Sequence, residues 1–323
     1  MMNFQQRKVA LTESACPIKA QMAVNTVRNG TPIHAVSAGK VLVLRTCKAI
    51  ESRNYPRKIR ATDGVEGMLY GWLFGEGECR NAEVILRSDT RFQVVEVEVS
   101  GLVIQEGQVS FSHGVVLHTG DRLTATKYLE QHEPRSRKAA VIGACRHVGN
   151  RRRVRVGAAG MATTGNHGTA TAGNFGVAVA GDRGRAFAGE CGTASVGDRG
   201  YAYASDFGTA IAGEWGIASA GCGGEARALT YGTASAGIMG NAIAGDHGNA
   251  NAGIRGTATA GLYGTVSAGP GGEIRLRYLD AQSNRYRTVT GYIGENNLTP
   301  FTSYTLDANH QFVPVSALEV ASK

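Results

Sequence analysis

Between residues 160 and 271 the chain alternates a variable residue with alanine, two pairs at a time, and glycine brackets nearly every alternation. The phrase is eight residues long and is written fourteen times, as in GTATAGNF from Gly168, GVAVAGDR from Gly176 and GTATAGLY from Gly256. Position one is Gly in all fourteen copies, position three Ala in thirteen, position five Ala in twelve and position six Gly in twelve. An alternation of period two predicts a short β-strand with one fixed face. A strict short repeat of such strands predicts a solenoid. Collagen is excluded because Gly does not recur every third residue, and two glycines in every eight exclude a helix. The glycines suit corners that need positive φ or that bring coils close together. Inward alanines predict facing sheets closer than the usual ~10 Å.

Position eight sets the size of the coil. Every second copy carries a large polar or aromatic residue there: His167, Arg183, Arg199, Trp215, Tyr231, His247 and Tyr263. The copies between carry Phe175, Cys191, Phe207, Gly223, Met239, Arg255 and Gly271. This alternation predicts a two-sided coil of sixteen residues with two different edges, in preference to a three-sided coil. The octads then form seven coils and a rod about 34 Å long at ~4.8 Å per coil.

The flanks have a different texture. Residues 1–38 are polar and irregular and read as a flexible arm. From residue 39 to 132, short apolar or alternating runs (KVLVLRTCKA, VILR, FQVVEVEV, GVVLH) predict strands, with ESRNYPRKIRATDG as loop. DRLTATKYLEQH predicts a helix capped by Asp121, with Leu123 and Leu129 along one side. This is a small α+β domain. Residues 133–159 form a basic junction and first coil, 160–271 the octapeptide-repeat solenoid, and 272–323 a C-terminal β cap. The cap opens with a hairpin turning at AQSN, and Tyr278, Tyr286, Tyr292, Phe301, Tyr304 and Phe312 are its expected core. A cap is needed because a bare solenoid end would pair with another molecule. The fold class is therefore mainly β.

Charge changes the picture at one place. The formal net charge is +8, and residues 135–155 alone hold eight Arg/Lys and no acid. Such a run fits either a solvated junction or a surface for an anionic partner. The six cysteines lack a CxxC or a Cys/His cluster, so they read as reduced thiols and neither a metal site nor a cofactor is expected. No apolar run approaches a membrane span, so no membrane partner is expected. The N-terminus lacks a secretory signal core, and the expected location is cytoplasmic or reached by signal-peptide-independent secretion.

The layout VLVLRTCKA, GVEGMLYGW and QVSFSHGVVLHTGDRLTATKYL resembles an uncharacterised bacterial family whose N-terminal domain of unknown function precedes GTATAG-type octads and a β cap. That resemblance implies architecture and no chemistry; its members often carry a His where this chain reads Gly67-Met68-Leu69-Tyr70. Arg45 with Glu96 and Glu98 resembles the Arg and Glu-x-Glu elements of ADP-ribosyltransferases, which implies an enzyme domain on a solenoid spacer. Alternating Glu on FQVVEVEV is equally the wet face of a strand. His113, His118 and Asp121 are a further candidate base or metal cluster, though with no ligand spacing. No octad ends in the GK[ST] of a phosphate loop. The repeats also resemble those of ice-nucleation proteins, which implies ice binding. Sorted by side, however, the outward residues form no regular hydroxyl ladder.

The same sorting gathers a set suited to macromolecular recognition. Arg153 and Arg155 lead Arg185, Phe187, Tyr201 and Tyr203 on one side. Arg151, Arg183, Arg199, Trp215 and Tyr231 follow one edge. Basic groups interleaved with aromatics are the means of protein or nucleic-acid recognition. Asp182, Asp198, Glu214 and Asp246 sit beside the edge and favour a protein with an acidic surface over nucleic acid. The expected function is thus non-enzymatic: a rigid solenoid presented to a macromolecular partner.

Overall fold

The computed structural model describes residues 39–47, 56–60, 67–75, 85, 87, 90–105 and 108–316. The arm expected over 1–38, Cys16, Cys79 and much of the stretch after Cys47 lie outside them. The N-terminal unit contains β1 (Lys40–Cys47), β2 (Arg57–Arg60), β3 (Leu69–Gly71), β4 (Arg91–Glu98), β5 (Val103–Gln105), β6 (Gln108–Phe111) and β7 (His113–Gly120). A four-stranded antiparallel sheet runs β1-β4-β7-β2, and a smaller sheet runs β3-β6-β5. Val41, Val43, Val95 and Val97 cluster with Val109 and Phe111 of the small sheet. Leu42, Leu44, Phe92 and Val94 cluster instead with Ala125 and Leu129 of the helix α1 (Arg122–His132). Burial on both faces explains the unbroken apolar run VLVL in β1.

Three expectations need correcting in this unit. RKIR, inside the segment read as loop, is strand β2 and pairs with β7. Ile85, within the apolar run VILR, is helical and buried. In α1, Asp121 caps as expected, its Oδ1 accepting from the Thr124 N–H at 2.8 Å. Leu123 is exposed, however, while Leu129 is buried with Ala125 and Thr126. Six residues turn a helix through about 600°, which places Leu123 and Leu129 on different faces.

The solenoid has sixteen short strands, from β8 (Cys145–Val148) and β9 (Arg153–Arg155) to β23 (Thr265–Ala268). They alternate between two parallel sheets, which gives eight coils among the described residues. Partners lie sixteen residues apart, as in Met161 with Val177 and Ala202 with Ala218, so the two-sided coil is the observed one. Ala178, Ala194, Ala210 and Ala226 form one fully buried row, Ala186, Ala202, Ala218 and Ala234 the row on the other sheet. This core is continuous with α1 at one end and the cap at the other.

The glycines act through close approach. A Cβ at Gly216 would lie 2.8 Å from the Ala212 Cβ within the same coil. At Gly213 it would lie 2.8 Å from the Asp198 nitrogen of the preceding coil. Positive φ falls elsewhere, at position eight. All sixteen corners from Arg151 to Gly271 have φ between 52° and 66° there, and fourteen of the sixteen residues are not glycine. Fourteen of these corners are closed by a hydrogen bond from the position-one N–H to the position-six carbonyl, as from Gly216 to Gly213 at 3.2 Å. A left-handed third residue is what a type II turn requires.

The cap holds β24 (Glu273–Asp280), β25 (Arg285–Tyr292), β26 (Tyr304–Leu306) and β27 (Phe312–Pro314). The strand β24 extends one solenoid sheet in parallel and turns at Ala281–Asn284 into β25, as expected. Its core differs from the expected one. Ile274, Leu276, Ile293, Leu298 and Tyr304 are buried, with Phe312 packed against them, while Tyr286, Tyr292 and Phe301 are exposed. Tyr278 stacks on His310 with ring centroids 3.8 Å apart.

An alanine core predicts intolerance of bulk. Ala210→Leu is expected to destabilise by roughly 3 kcal/mol, the upper end of the usual overpacking cost, whereas Thr209→Leu, on the outer face, stays within about 0.5 kcal/mol. Thermal melts of the two variants check this, and equal tolerance contradicts the thin core.

Candidate interaction edge

Corner geometry determines which side chains are displayed. At position eight the backbone N–H donates to the position-seven carbonyl of the next coil, as from Arg183 to Asp198 (2.8 Å) and Arg199 to Glu214 (2.8 Å). At position seven, Asn and Asp side chains bind the following coil. The Asp182 N–H donates to Asn166 Oδ1 at 3.0 Å, Asp198 to Asp182 Oδ1 at 3.1 Å and Glu214 to Asp198 Oδ1 at 2.9 Å. The position-eight rail is bonded by backbone along its length, and the position-seven rail by side chains from Asn150 to Glu214 and again from Asp246 to Leu262; position-eight side chains project from the edge at the coil spacing. L-residues pay about 1–2 kcal/mol for the left-handed conformation, which Gly or Asn would relieve. Asn occupies none of the position-eight corners, and Gly only 223 and 271.

On the edge where one sheet passes to the other after Thr164, the position-eight column reads Arg151, His167, Arg183, Arg199, Trp215, Tyr231, His247, Tyr263. Its C-terminal half is a continuous ring stack. Centroids are 4.2 Å apart for Trp215–Tyr231, 4.8 Å for Tyr231–His247 and 5.1 Å for His247–Tyr263. The rings remain accessible: Trp215 is 55% exposed, Tyr231 44% and Tyr263 78%. Its N-terminal half is charged. A shallow cleft of 360 Å³ is lined by Asn166, His167, Asp182, Arg183, Asp198, Arg199, Glu214 and Trp215. Basic and acidic columns run side by side along this cleft and meet the first ring of the stack.

The sheet beside this edge completes the set. Arg153, Thr169, Arg185 and Tyr201 form one outward row, and Arg155, Thr171, Phe187 and Tyr203 the next. Phe187 and Tyr201 approach with ring centroids 6.0 Å apart. Arg183 and Arg199 occupy adjacent coils, whereas Thr169 separates Arg153 from Arg185. All the expected binding residues thus lie on one edge and its neighbouring sheet.

The basic run of 135–155 divides. Arg146 pairs in register with Ala162, at an inward position. Its guanidinium reaches Glu130 Oε1 and the carbonyls of Ala139, Ser136 and Arg155, each at 2.7 Å. Arg135 pairs with Glu133 at 2.6 Å, and Arg137 donates to the Glu130 and Gln131 carbonyls. Arg146 closes the first coil against α1, while Arg135 and Arg137 tie the following segment to the end of α1. Arg151, Arg152 and Arg153 remain exposed on the rod. Arg122 adds a bond from α1 to the Ala159 carbonyl at 3.0 Å. The clamp by Arg146 escaped the sequence reading. Its signal is an arginine at an alanine position of the register.

The other candidates do not assemble. In β1 and β4, Arg45 lies opposite Gln93 while Glu96 lies opposite Leu42. Alternation therefore puts Arg45 on the Val43 face and both glutamates on the Leu42 face, on opposite sides of the sheet. Glu96 is paired with Lys40 at 2.8 Å. His113 is bonded to Ser112 at 2.9 Å, and Asp121 caps α1. His118 stacks on Tyr128 at 4.8 Å, and Tyr128 on His132 at 3.9 Å. Burial holds the His118 imidazole below its ordinary pKa, against the pull of Asp121. No group of three or more metal-ligating side chains occurs among the described residues. No helix of the described residues is long and apolar enough to cross a membrane.

Comparison with known proteins gives one distant likeness. Over 122 aligned residues the chain is 29% identical to an ice nucleation protein of Pseudomonas syringae pv. syringae, a match covering 32% of this chain and 10% of that protein. The chain thus spans about a tenth of the length of this relative. No family model matches, and no solved structure matches. What the fold and the likeness define is a two-sided β-solenoid protein whose repeats are distantly similar to ice-nucleation repeats.

The ring stack makes a measurable claim. Tyr231→Ala interrupts it, so a loss of about 1 kcal/mol is expected from the broken aromatic contacts. The near-UV circular dichroism of Trp215 falls and its fluorescence shifts to the red, over a constant signal from buried Trp72. Unchanged spectra contradict the stack.

Proposed function

We propose that this protein is a non-enzymatic interaction module and that the Arg151–Tyr263 edge, with the adjoining Arg153–Tyr203 rows, docks a protein partner through an acidic surface. The observation that carries this reading is the residue choice at position eight. Side chains held there against a backbone preference for glycine mark a place where local strain is kept for another purpose. On this edge those side chains are arginines, histidines and aromatics, the types that dominate binding energy at protein interfaces. They are spaced by the coil and pre-ordered by stacking, which lowers the entropy cost of docking. An acidic partner relieves repulsion between Arg183 and Arg199 and gains charge-assisted bonds. Nucleic acid fits less well, because a continuous row of phosphates cannot avoid Asp182, Asp198 and Glu214, whereas a protein surface can set its carboxylates against the arginines and neutral or basic groups against the acids.

A second reading rests on the likeness to an ice nucleation protein and on one patch. Thr233, Ser235, Asn249, Asn251, Thr265 and Ser267 form a small polar array over three coils. Thr265 Oγ1 donates to Asn249 at 2.9 Å and Ser267 Oγ to Asn251 at 2.8 Å. The patch ends at Ile217 and Tyr201 on one side and at the cap on the other, so it is short for ordering water. Interaction is the better-supported reading.

The test is affinity capture from the native host with wild-type protein and with Arg183→Glu/Arg199→Glu. One or a few proteins are expected to be retained by wild type, with retention falling as salt rises and at least about tenfold loss in the variant with an unchanged melt. Equal capture by both overturns it. Droplet-freezing temperature measured on the same samples decides the ice reading.

A further inference from the structure

The opposite edge has a pattern of its own. There the paired corner residues, position seven then eight, run Asn174-Phe175, Glu190-Cys191, Asp206-Phe207, Cys222-Gly223, Ile238-Met239, Ile254-Arg255 and Pro270-Gly271. Phe207 and Met239 are each 64% exposed, and Ile238 and Ile254 lie open beside them. Gly223 gives the strip its flatness. A Cβ there would lie 2.7 Å from the Phe207 ring, so the ring lies down across the gap that glycine leaves. The strip is acidic toward the N-terminal coils, at Glu190 and Asp206, apolar in its middle, and basic at Arg255.

That order is self-complementary. Glu190 and Arg255 lie at equal distances on either side of the Cys222-Gly223 rung, with Phe207 and Met239 between them and Asp206 beside Phe207, so a second copy turned end for end can meet this edge, as a two-fold interface demands. The rungs are also fixed at the coil spacing, which another copy of the same rod matches rung for rung. We infer that this edge joins two copies of the chain in an antiparallel dimer whose axis passes the Cys222-Gly223 rung. Two rungs from the axis, Glu190 of one copy meets Arg255 of the other. One rung from it, Phe207 meets Met239, and Asp206, whose Oδ1 accepts from the Cys222 N–H of its own chain, lies beside Ile238. On the axis, Cys222 meets its own equivalent.

The interface is small. Six coil steps make a strip about 29 Å long and one edge wide, below the ~800 Å² per partner of a standard complex. Association is therefore weak and reversible, in the micromolar range. It leaves the Arg151–Tyr263 edge free on the far side of each rod, so it stands or falls separately from the proposed function.

The experiment is sedimentation equilibrium of the full chain, under reducing conditions, over a concentration series. Wild type is expected to shift from monomer to dimer. Met239→Asp is expected to weaken the dimer by at least about tenfold without lowering the melting temperature, because Asp accepts the left-handed corner better than Met. Arg255→Glu and Glu190→Arg are each expected to weaken it, and the double charge swap to restore it. Mild oxidation is expected to trap a covalent dimer in wild type and not in Cys222→Ser. A monomer at every concentration overturns the inference, as does a dimer that Met239→Asp leaves intact. A charge swap that fails to rescue overturns the antiparallel register.

Discussion

Close approach is the constraint on which everything else in the rod depends. Inward positions carry alanine almost throughout, and the glycines at positions one and six sit where a single added carbon would meet a neighbouring atom at or below 3 Å. Sheets and corners can then stack with sixteen-residue regularity, and hydrogen bonds along both sheets and both corner columns hold that register. The same tightness dictates the corner. With glycine kept for space at position one and at twelve of fourteen copies of position six, the left-handed residue of the turn falls at position eight, where side chains point outward.

That displacement turns a structural repeat into a scaffold that displays variable side chains along its edges. The core is nearly invariant and carries no information, while the corners can hold any residue at a modest backbone cost. One edge uses them for a charged cleft running into a ring stack, the other for an apolar strip between opposite charges. Asn and Asp at position seven stiffen the rails by bonding forward to the next coil. Rigid presentation of this kind suits docking, because little order has to be imposed when a partner arrives.

Most of the architecture was legible because period two and period eight are properties of the letters themselves. The large residues His167, Arg183 and Trp215 alternating with Phe175, Cys191 and Phe207 disclosed the two edges. The strain at position eight was not legible, since glycine elsewhere in the octad is the obvious bearer of positive φ. Only the backbone shows that those glycines serve spacing. Arg146 was hidden in a basic run whose members look alike, and its inward position emerges from pairing with Ala162. In the N-terminal unit, Arg45 and Glu96 look like partners in sequence, and strand alternation separates them. In the cap, aromatic content pointed to Tyr286, Tyr292 and Phe301 as core, whereas aliphatic Ile274, Leu276 and Leu298 fill it.

The central claim is that position-eight side chains are kept on the exposed edge at the expense of backbone energy. The most direct measurement is the thermal stability of Arg183→Gly/Arg199→Gly beside wild type. Relief of two left-handed non-glycine corners, less the entropy that glycine adds to the unfolded chain, predicts a net gain of about 1 kcal/mol, seen as a melting temperature raised by roughly 2–4 °C. A lowered melting temperature contradicts the claim, because it makes those arginines part of what holds the rod together.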